Sequence, residues 1–278
     1  MESKRPSVLI IILNYGTYDM TLKMIESLHA DLEYDNYSIM VVDNGSPNDS
    51  AKILEQNSKK LDYLFFENKK NAGYAAGNNI GIRFGIKNGF DYSWVLNNDV
   101  ELRDKNVLSE MVKVAESDCK IGCVGPKIYT LNGSICAPYC RRPSLWSMTL
   151  GIIGEKKYRN SHTDISGAVY RIYGCCMLLK NKAMTEIDCM DERTFLYGEE
   201  SILSERLMSK GYSTYYISTT SVRHKESASM KKMSMDSKKM KILEQEKSRE
   251  LYLKEYRHFS PLARWFCHLS SRVLAFLR

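Results

Sequence analysis

The sequence predicts an α/β protein with a mostly parallel, doubly wound sheet, and two observations lead to that prediction. Short runs of β-branched and apolar residues recur along the chain, and most are followed by a segment with apolar residues at helical spacing. Several of these runs also end in Asn or Asp. Strands that alternate with helices favour a parallel sheet with right-handed crossovers. Polar residues at their carboxyl ends would line the edge where such sheets bind ligands.

Three strand–helix units are expected in the first third of the chain. The strands lie at residues 7–13, 38–43 and 61–66, and the helices at about residues 17–30, 48–57 and 73–87. The first strand contains no charged residue, which is typical of a strand buried on both faces. No G-x-G-x-x-G follows it, so a nicotinamide-dependent enzyme is disfavoured. The first third therefore predicts a nucleotide-binding geometry without the dinucleotide fingerprint.

A fourth strand at residues 92–96 runs into a polar triplet, Asn97-Asn98-Asp99, ahead of a helix expected from about Asp104. Taken alone, the triplet is most simply a turn or a helix cap, which Asn and Asp often form. At a ligand-binding sheet edge, however, a carboxylate flanked by two amides can hold a hard divalent cation, which in turn holds a diphosphate.

The second half of the sequence is less regular. Further strands are expected at residues 121–129, 169–173, 176–180 and 213–218, and a helix at about residues 201–210. Gly211 follows that helix in the preferred C′ position. Residues 130–166 have no clear period, and a segment of that length suggests a functional loop or lid.

Composition and length bound the class of protein. The chain has 278 residues, of which 44% are hydrophobic and 26% charged, so we expect one large folded domain plus an appendage. The first residues lead straight into a strand without a signal peptide, and no apolar segment is long enough to span a membrane. Two of the cysteine pairs are spaced C-x3-C, but no His supports a zinc site. Reduced cytosolic thiols are the preferred interpretation.

The basic charge is concentrated at the C-terminal end. From Arg223 onward the chain carries 14 Lys and Arg against 6 Asp and Glu, a net charge of +8, whereas the first 222 residues have a net charge of −1. Apolar residues beyond Pro261 recur at spacings of three and four, with arginines on the other side, which predicts a basic amphipathic helix. The apolar set is Leu262, Trp265, Leu269, Val273 and Phe276, and the arginines are Arg264, Arg272 and Arg278.

Residues 229–278 are therefore predicted to form a helical tail outside a domain of residues 1–228. A basic amphipathic helix with Trp and Phe favours attachment to the anionic inner face of the cell membrane, which predicts a cytoplasmic, peripheral protein. The simpler alternative to membrane attachment is that these basic residues only contact solvent. Nucleic-acid binding is not expected, because no aromatic residues are interleaved with the lysines.

Seven segments of the sequence together resemble a known family. In order they are Ile11-Ile-Leu-Asn-Tyr15, Val42-Asp-Asn-Gly-Ser46, Asn71-Ala-Gly-Tyr-Ala-Ala-Gly-Asn-Asn-Ile-Gly81, Leu96-Asn-Asn-Asp-Val100, Gly174-Cys-Cys-Met-Leu178, Asp191-Glu-Arg-Thr-Phe-Leu-Tyr-Gly-Glu-Glu200 and His224. Each segment alone is a weak signal of any family. Together and in this order, over about residues 7–228, the seven segments resemble the inverting GT-A glycosyltransferases of family 2. Within that family the segments resemble in particular the rhamnosyltransferase-like branch of polysaccharide assembly.

This resemblance implies a GT-A fold whose residues 1–100 bind a nucleoside-diphosphate sugar and whose residues 101–228 form a smaller acceptor half. It implies a dTDP- or UDP-sugar donor, a divalent cation, Mn²⁺ or Mg²⁺, and a hydroxyl of a lipid-linked glycan as acceptor. The expected pathway is synthesis of a surface polysaccharide, either O-antigen or capsule. The resemblance does not identify the sugar that is transferred.

By the same resemblance, Asp99 contacts the metal and His224 completes the metal or diphosphate contacts. A cation that bridges the diphosphate oxygens would help the leaving group to depart. From the sequence alone, His224 is equally well interpreted as a surface histidine between Arg223 and Lys225.

The donor-binding residues that the resemblance implies lie at strand ends and in the Gly-rich segment. They are Asn14, Tyr15, Asp43, Gly73, Gly77, Asn78, Asn97 and Asn98. Asp43 would accept a hydrogen bond from the donor's pyrimidine ring, or cap the turn at Asn44, or do both. The glycines would let the backbone approach the donor, with a tightly packed helix as the alternative.

The catalytic base is assigned to Glu200, with Glu199 as the alternative. Relatives place a Glu-Asp pair here, and the further acidic residue common two positions on is Ile202 in this chain. A carboxylate at a helix N-terminus favours its ionised form, which suits a base. The structural alternative is that both glutamates only stabilise the first helical turn.

Two other classes of protein remain open. A non-catalytic nucleotide-sugar-binding protein is conceivable because of the Glu-Glu departure from the family pattern. A nucleotidyltransferase shares the fold logic but usually has a basic Gly-rich loop after its first strand, which Asn14-Tyr15-Gly16 does not provide.

Overall fold

The computed structural model of the protein describes residues 5–225 and 235–276. The strands of these residues are β1 (Val8–Asn14), β2 (Tyr37–Asn44), β3 (Leu64–Asn68), β4 (Tyr92–Leu96), β5 (Val100–Leu102), β6 (Ile121–Thr130), β7 (Gly167–Val169), β8 (Cys176–Lys180) and β9 (Ser213–His224). The helices are α1 (Tyr18–Asp31), α2 (Ser50–Asn57), α3 (Tyr74–Lys87), α4 (Val107–Ser117), α5 (Leu145–Met148), α6 (Ile152–Asn160), α7 (Asn181–Glu186), α8 (Glu199–Ser209), α9 (Met235–Leu251) and α10 (Pro261–Phe276), with a π-helical turn at Tyr252–Tyr256.

The strands form one mixed sheet in the order β3-β2-β1-β4-β8-β6-β9-β5, with β7 added beside β9. The strands β1 to β4 pair in parallel, as predicted, and β6 is parallel to β9. The strand β8 runs antiparallel to both β4 and β6 and joins the two halves of the sheet. The carboxyl ends of β1, β2 and β4 therefore meet at one edge, which confirms the predicted α/β architecture.

Alternate residues of β1 pack on opposite sides of the sheet. Ile10 and Ile12 belong to the core on the side of α1, where they pack with Ile25 and other apolar residues. Leu9 and Ile11 belong to the core on the other side, which includes residues of α3 and α8. Because both faces are covered by helices, the strand needs apolar residues at every position.

Several elements differ from the sequence prediction. The strand predicted at residues 169–173 is wrong: β7 ends at Val169, and the next residues bond instead to the backbone of Tyr139. The irregular segment at residues 130–166 contains α5 and α6, and the short strand β5 and helix α7 were not predicted. The strand β9 extends six residues past its predicted end because its second half pairs with β5.

The predicted tail packs against the domain. The side chains of Tyr252, Leu253 and Cys267 are buried in a small apolar cluster with Ile202 of α8. Arg278 and residues 226–234, whose lysines carry part of the predicted basic charge, lie outside the described residues. In the described part of the chain, no helix has both the length and the apolar character that crossing a bilayer requires.

Candidate active site

A chain of hydrogen bonds ties together the strand ends at the ligand-binding edge. Asn98 donates through its amide to the hydroxyls of Thr17 and Thr21, at 2.8 and 2.9 Å. Thr21 donates to the side-chain carbonyl of Asn14 at 2.9 Å, and Asn14 donates to the carboxylate of Asp43 at 2.7 Å. Three of the predicted donor-binding residues therefore belong to one connected network, and each holds the next in position.

Asp43 is fully buried and also accepts hydrogen bonds from the hydroxyl and backbone N–H of Ser46, at 2.6 and 3.0 Å. This is the turn-capping role proposed as its structural alternative. Contact between Asp43 and a pyrimidine ring stays a prediction. Tyr15 follows Asn14 directly and is half exposed, so its ring is available to a ligand at this edge.

The Gly-rich segment is held close to its own chain. Gly73 has φ +89°, and a Cβ there would lie 2.5 Å from the backbone oxygen of Phe195. Gly77 faces Leu13, and a Cβ at Gly77 would lie 2.6 Å from a methyl group of that side chain. These contacts support the tightly packed helix, and an approach of either glycine to a donor stays a prediction. Asn78 is buried, and its Oδ1 has no hydrogen-bond partner among the described residues.

Asn44 organises the loop that leads into this segment and was not singled out from the sequence. Its amide donates to Asn71 and to the backbone oxygen of Gly73, both at 3.1 Å. Its side-chain oxygen accepts from Asn68 and from the backbone of Ala72. One buried amide thereby fixes the path of the chain between β3 and α3. Its signals in the sequence were its place at the end of β2 and in the segment Val42–Ser46.

Asp99 and His224 meet although they lie far apart in the sequence. Val100, the residue after Asp99, pairs with His224 across β5 and β9. The imidazole Nε2 of His224 lies 3.1 Å from a carboxylate oxygen of Asp99. Asp99 is buried, and the side chain of His224 is about one-fifth exposed. The structure therefore brings the two predicted metal-binding residues together.

The donor set of this pair fits a divalent cation. Carboxylate oxygen suits Mg²⁺ and Mn²⁺, and an imidazole nitrogen is a common additional ligand for transition metals. No cluster of three or more potential ligands occurs within residues 5–225 and 235–276. A cation held here would therefore need oxygens from a ligand, which is how Mg²⁺ is usually bound beside substrate phosphates.

Two adjacent residues connect this edge to the second half of the site. The backbone oxygen of Cys175 accepts from the backbone N–H of Asn97 at 2.9 Å, and the backbone N–H of Gly174 donates to Glu200 at 3.2 Å. Burial raises the pKa of the Cys175 thiol, and the charges of Asp99 and Glu200 contribute in the same direction. Both carboxylates therefore lie within electrostatic reach of one side chain.

Tyr74 strengthens this connection and was also missed from the sequence. Its hydroxyl donates to the backbone oxygen of Gly174 at 2.6 Å and lies 3.4 Å from the side-chain oxygen of Asn97. Burial raises its pKa well above the ordinary value, so the group is a neutral donor. It joins the start of α3 to the loop that supports Glu200.

Glu199 and Glu200 begin α8 and have different surroundings. Besides the Gly174 N–H, the carboxylate of Glu200 has the guanidinium of Arg171 at 3.4 Å. Glu199 is buried, and its Oε2 has no hydrogen-bond partner among the described residues. Burial, with the charge of Glu200, raises the pKa of Glu199 to about 8. Glu200, whose carboxylate has two partners, stays the predicted base, with Glu199 as its alternative.

A cavity of about 1050 Å³ opens next to these glutamates. Its walls come from the segment between β6 and β7, from the start of α8 at Gly198 and Ser201, and from α9 and the π-helical turn at Arg249 and Tyr252. The tail therefore supplies part of the wall, which the sequence did not indicate. Five tyrosines line the cavity and make part of its wall apolar: Tyr139, Tyr170, Tyr173, Tyr197 and Tyr252.

Solved structures show the class of fold. The chain superposes on a mannosyltransferase, PcManGT of Pyrobaculum calidifontis in complex with GDP-Man and Mn²⁺, with a TM-score of 0.62 and 12% identity over 98% of this chain and 76% of that one. It also superposes on GalNAc-T7 with UDP, GalNAc and Mn²⁺, with a TM-score of 0.60 and 14% identity over 80% of this chain and 44% of that one. The fold is the GT-A fold of glycosyltransferases.

The chain belongs to glycosyl transferase family 2, whose family model matches residues 7–183. One curated relative, the O-antigen biosynthesis protein RfbC of Myxococcus xanthus, is 25% identical over 81% of this chain and 18% of its own length. Another, the low-salt glycan biosynthesis hexosyltransferase Agl10 of Haloferax volcanii, is 25% identical over 69% of this chain and 58% of its own length. The chain therefore spans only part of these relatives.

Proposed function

We propose that the protein is an inverting, metal-dependent glycosyltransferase that moves a sugar from a nucleoside diphosphate, dTDP or UDP, to a hydroxyl of a lipid-linked glycan. The observation that carries this proposal is the Asp99–His224 pair at the sheet edge, joined through residues 174 and 175 to Glu200. The Mn²⁺ and nucleotide complexes of structural neighbours support a divalent cation and this class of donor.

In the proposed mechanism, Glu200 removes the proton of the acceptor hydroxyl. The bond from that oxygen to the anomeric carbon forms as the bond to the diphosphate oxygen breaks, and the electron pair leaves with the nucleoside diphosphate. Asp99 and His224 would hold a divalent cation, which would stabilise the charge on the departing phosphates. Arg171 and the Gly174 N–H orient the carboxylate of Glu200. The cavity beside α8 receives the acceptor.

The name of the Myxococcus xanthus relative supports a role in polysaccharide synthesis, and we propose that the product is a surface polysaccharide, either an O-antigen or a capsule. We expect one donor from a panel of nucleotide sugars to release its nucleoside diphosphate, and only when Mn²⁺ or Mg²⁺ is present. A non-catalytic binding protein would instead bind a donor without releasing nucleotide. A nucleotidyltransferase would release pyrophosphate from a nucleoside triphosphate and a sugar phosphate. Either of these two results would contradict the proposal.

The proposal includes attachment to the inner face of the cell membrane through α10. Cys267 faces the domain, whereas Leu262, Trp265, Phe266 and Leu269 are all more than 40% exposed. Trp265 and Phe266 stack edge to face, with ring centroids 5.0 Å apart. An exposed apolar helix face of this kind suits the interface of a bilayer. Arg264 is paired with Glu250 at 2.9 Å, so its charge is partly neutralised within the protein.

We predict that replacing both Trp265 and Phe266 with Ser weakens binding to vesicles that contain anionic lipid by at least about tenfold, because burial of each large apolar side chain contributes about 1.5–3 kcal/mol. Co-sedimentation with vesicles measures the effect. Leu131→Ser, which removes an equally exposed apolar side chain from a loop, is the matched control and should bind normally. Unchanged partition of the double variant would contradict membrane attachment through this face. Substitution is preferable to truncation after residue 260, which would also remove the buried Cys267.

A further inference from the structure

The cavity beside α8 has an excess of positive charge. Four cations line it, Lys156, Arg159, Arg171 and Arg249, and Glu155 is the carboxylate among its described lining residues. Arg171 is paired with Glu200, which leaves three other cations in the walls. The tyrosines can bind a neutral sugar, but a neutral acceptor gives no reason for this charge.

Within residues 5–225 and 235–276, no carboxylate pairs with the guanidinium of Arg159, which is held in place by neutral groups. It donates to the backbone oxygens of Ala137 and Pro138, at 2.6 and 3.2 Å, and to the hydroxyl of Tyr173 at 3.1 Å. It also lies 3.3 Å from the centroid of the Tyr139 ring, and Arg171 lies 3.8 Å from the same centroid. Two guanidiniums on one ring concentrate positive charge on rigid supports.

Arg249 is a second cation with a neutral partner. Its Nη2 donates to the backbone oxygen of Cys267 at 2.7 Å, and its Nε has no hydrogen-bond partner among the described residues. Burial lowers the pKa of its guanidinium, although the nearby charge of Glu246 acts in the opposite direction. A partly desolvated guanidinium in a cavity wall is stabilised by an anion in that cavity, and its planar fork suits phosphate oxygens.

We propose that the cavity binds the acceptor through a phosphate or diphosphate group, held by Arg159 and Arg249. This inference rests on the proposed function, because it places the acceptor in the cavity. Arg249 is bonded to α10, the helix proposed to lie on the bilayer, so the anionic group enters from the membrane side. The chemistry matches the phosphate that joins a glycan to its lipid. The sugar then extends along the tyrosines toward Glu200.

Binding of inorganic pyrophosphate to the full chain tests the site by titration calorimetry. EDTA is present so that the cation-dependent donor site does not contribute. We expect Arg249→Gln and Arg159→Gln each to weaken binding about tenfold, which corresponds to about 1.4 kcal/mol. Arg249→Lys, which keeps the charge, should restore part of the affinity, and Glu155→Gln, which removes the lining carboxylate, should strengthen binding.

Three control variants leave the site intact. Arg141→Gln removes a guanidinium that stacks on Tyr158, 3.9 Å from its ring centroid, outside the cavity walls. Lys254→Gln removes a charge from the π-helical turn of the tail, and Asp99→Asn alters the donor site. All three should bind pyrophosphate like the natural protein. Absence of binding to the natural protein would overturn the proposal. So would binding to both Arg→Gln variants that is as strong as to the natural protein, when circular dichroism shows the variants folded.

Competition separates the possible sources of the anion. Stronger displacement of pyrophosphate by geranyl diphosphate than by free phosphate or glucuronate supports a lipid-borne phosphate. Stronger displacement by glucuronate would overturn the assignment and indicate an acidic sugar. Failure of the proposed function gives a different pattern, because no nucleotide sugar would then release its nucleoside diphosphate in the presence of Mn²⁺ or Mg²⁺, whatever the result with pyrophosphate.

Discussion

Asp99→Asn is expected to reduce turnover about a thousandfold, because the cation supplies several kcal/mol of leaving-group stabilisation and each 1.36 kcal/mol corresponds to about a factor of ten. The substitution preserves the size of a buried side chain and removes its charge. Nucleotide release, measured across a titration of Mn²⁺, should show both a lower maximum rate and a weaker dependence on the cation. His224→Gln should show the same pattern with a smaller loss, since the carboxylate remains.

Glu101→Gln is the matched control for this experiment. Glu101 lies on β5 two residues beyond Asp99, is half exposed, and pairs with Arg223 at 3.4 Å on the neighbouring strand. Its removal deletes a carboxylate from the same ladder without altering the Asp99–His224 pair, so turnover should be nearly normal. Full activity of Asp99→Asn, or an equal loss in Glu101→Gln, would contradict the assigned role of Asp99.

Glu200→Gln is expected to lower turnover by about a factor of 10² to 10⁴, the usual contribution of a general base, while donor binding is kept. The amide can still accept a hydrogen bond from the Gly174 N–H, so the local fold is retained. Single-turnover kinetics together with calorimetry of donor binding separate the two effects. Nearly intact turnover would support the structural alternative, in which the two acids only stabilise the start of α8.

Glu199→Gln provides the comparison, and we expect a much smaller loss of turnover. Gln has the shape of the protonated acid that burial favours at this position. The folded state holds this proton more tightly than the unfolded chain, so the free energy of unfolding falls as the pH rises from 4.5 to about 8. The variant cannot titrate, so its stability should fall less steeply, by at most about 1.4 kcal/mol per pH unit. A greater loss of turnover in Glu199→Gln than in Glu200→Gln would move the base to Glu199.

The fold of residues 1–100 was largely predictable from the sequence because the signals there are local. Long apolar runs, turn residues and helical spacing lie side by side along the first hundred residues, and parallel pairing then brings the ends of β1, β2 and β4 together. The network from Asn98 to Asp43 follows from that arrangement, although its individual hydrogen bonds could not be read from spacing.

The second half was less predictable because its contacts join residues that are distant in sequence. Asp99 and His224 are neighbours only because β5, three residues long, pairs with the end of β9. That pair was predicted from the resemblance to a family and not from the spacing of apolar residues. In the same way, the spacing of apolar residues predicted α10 but not that Cys267 would be buried against α8.

The bond between Arg249 and Cys267 has a consequence for how the enzyme would encounter its acceptor. This hydrogen bond joins α10, which would lie on the bilayer, to the cavity wall that would bind the acceptor. The opening of the cavity would therefore stay at a fixed height above the lipid. Encounters would then occur by diffusion in two dimensions, and the rate would follow the number of carrier molecules per area of bilayer instead of their bulk concentration. Diluting the carrier with inert lipid should therefore slow transfer even when the total amounts of enzyme and acceptor are unchanged.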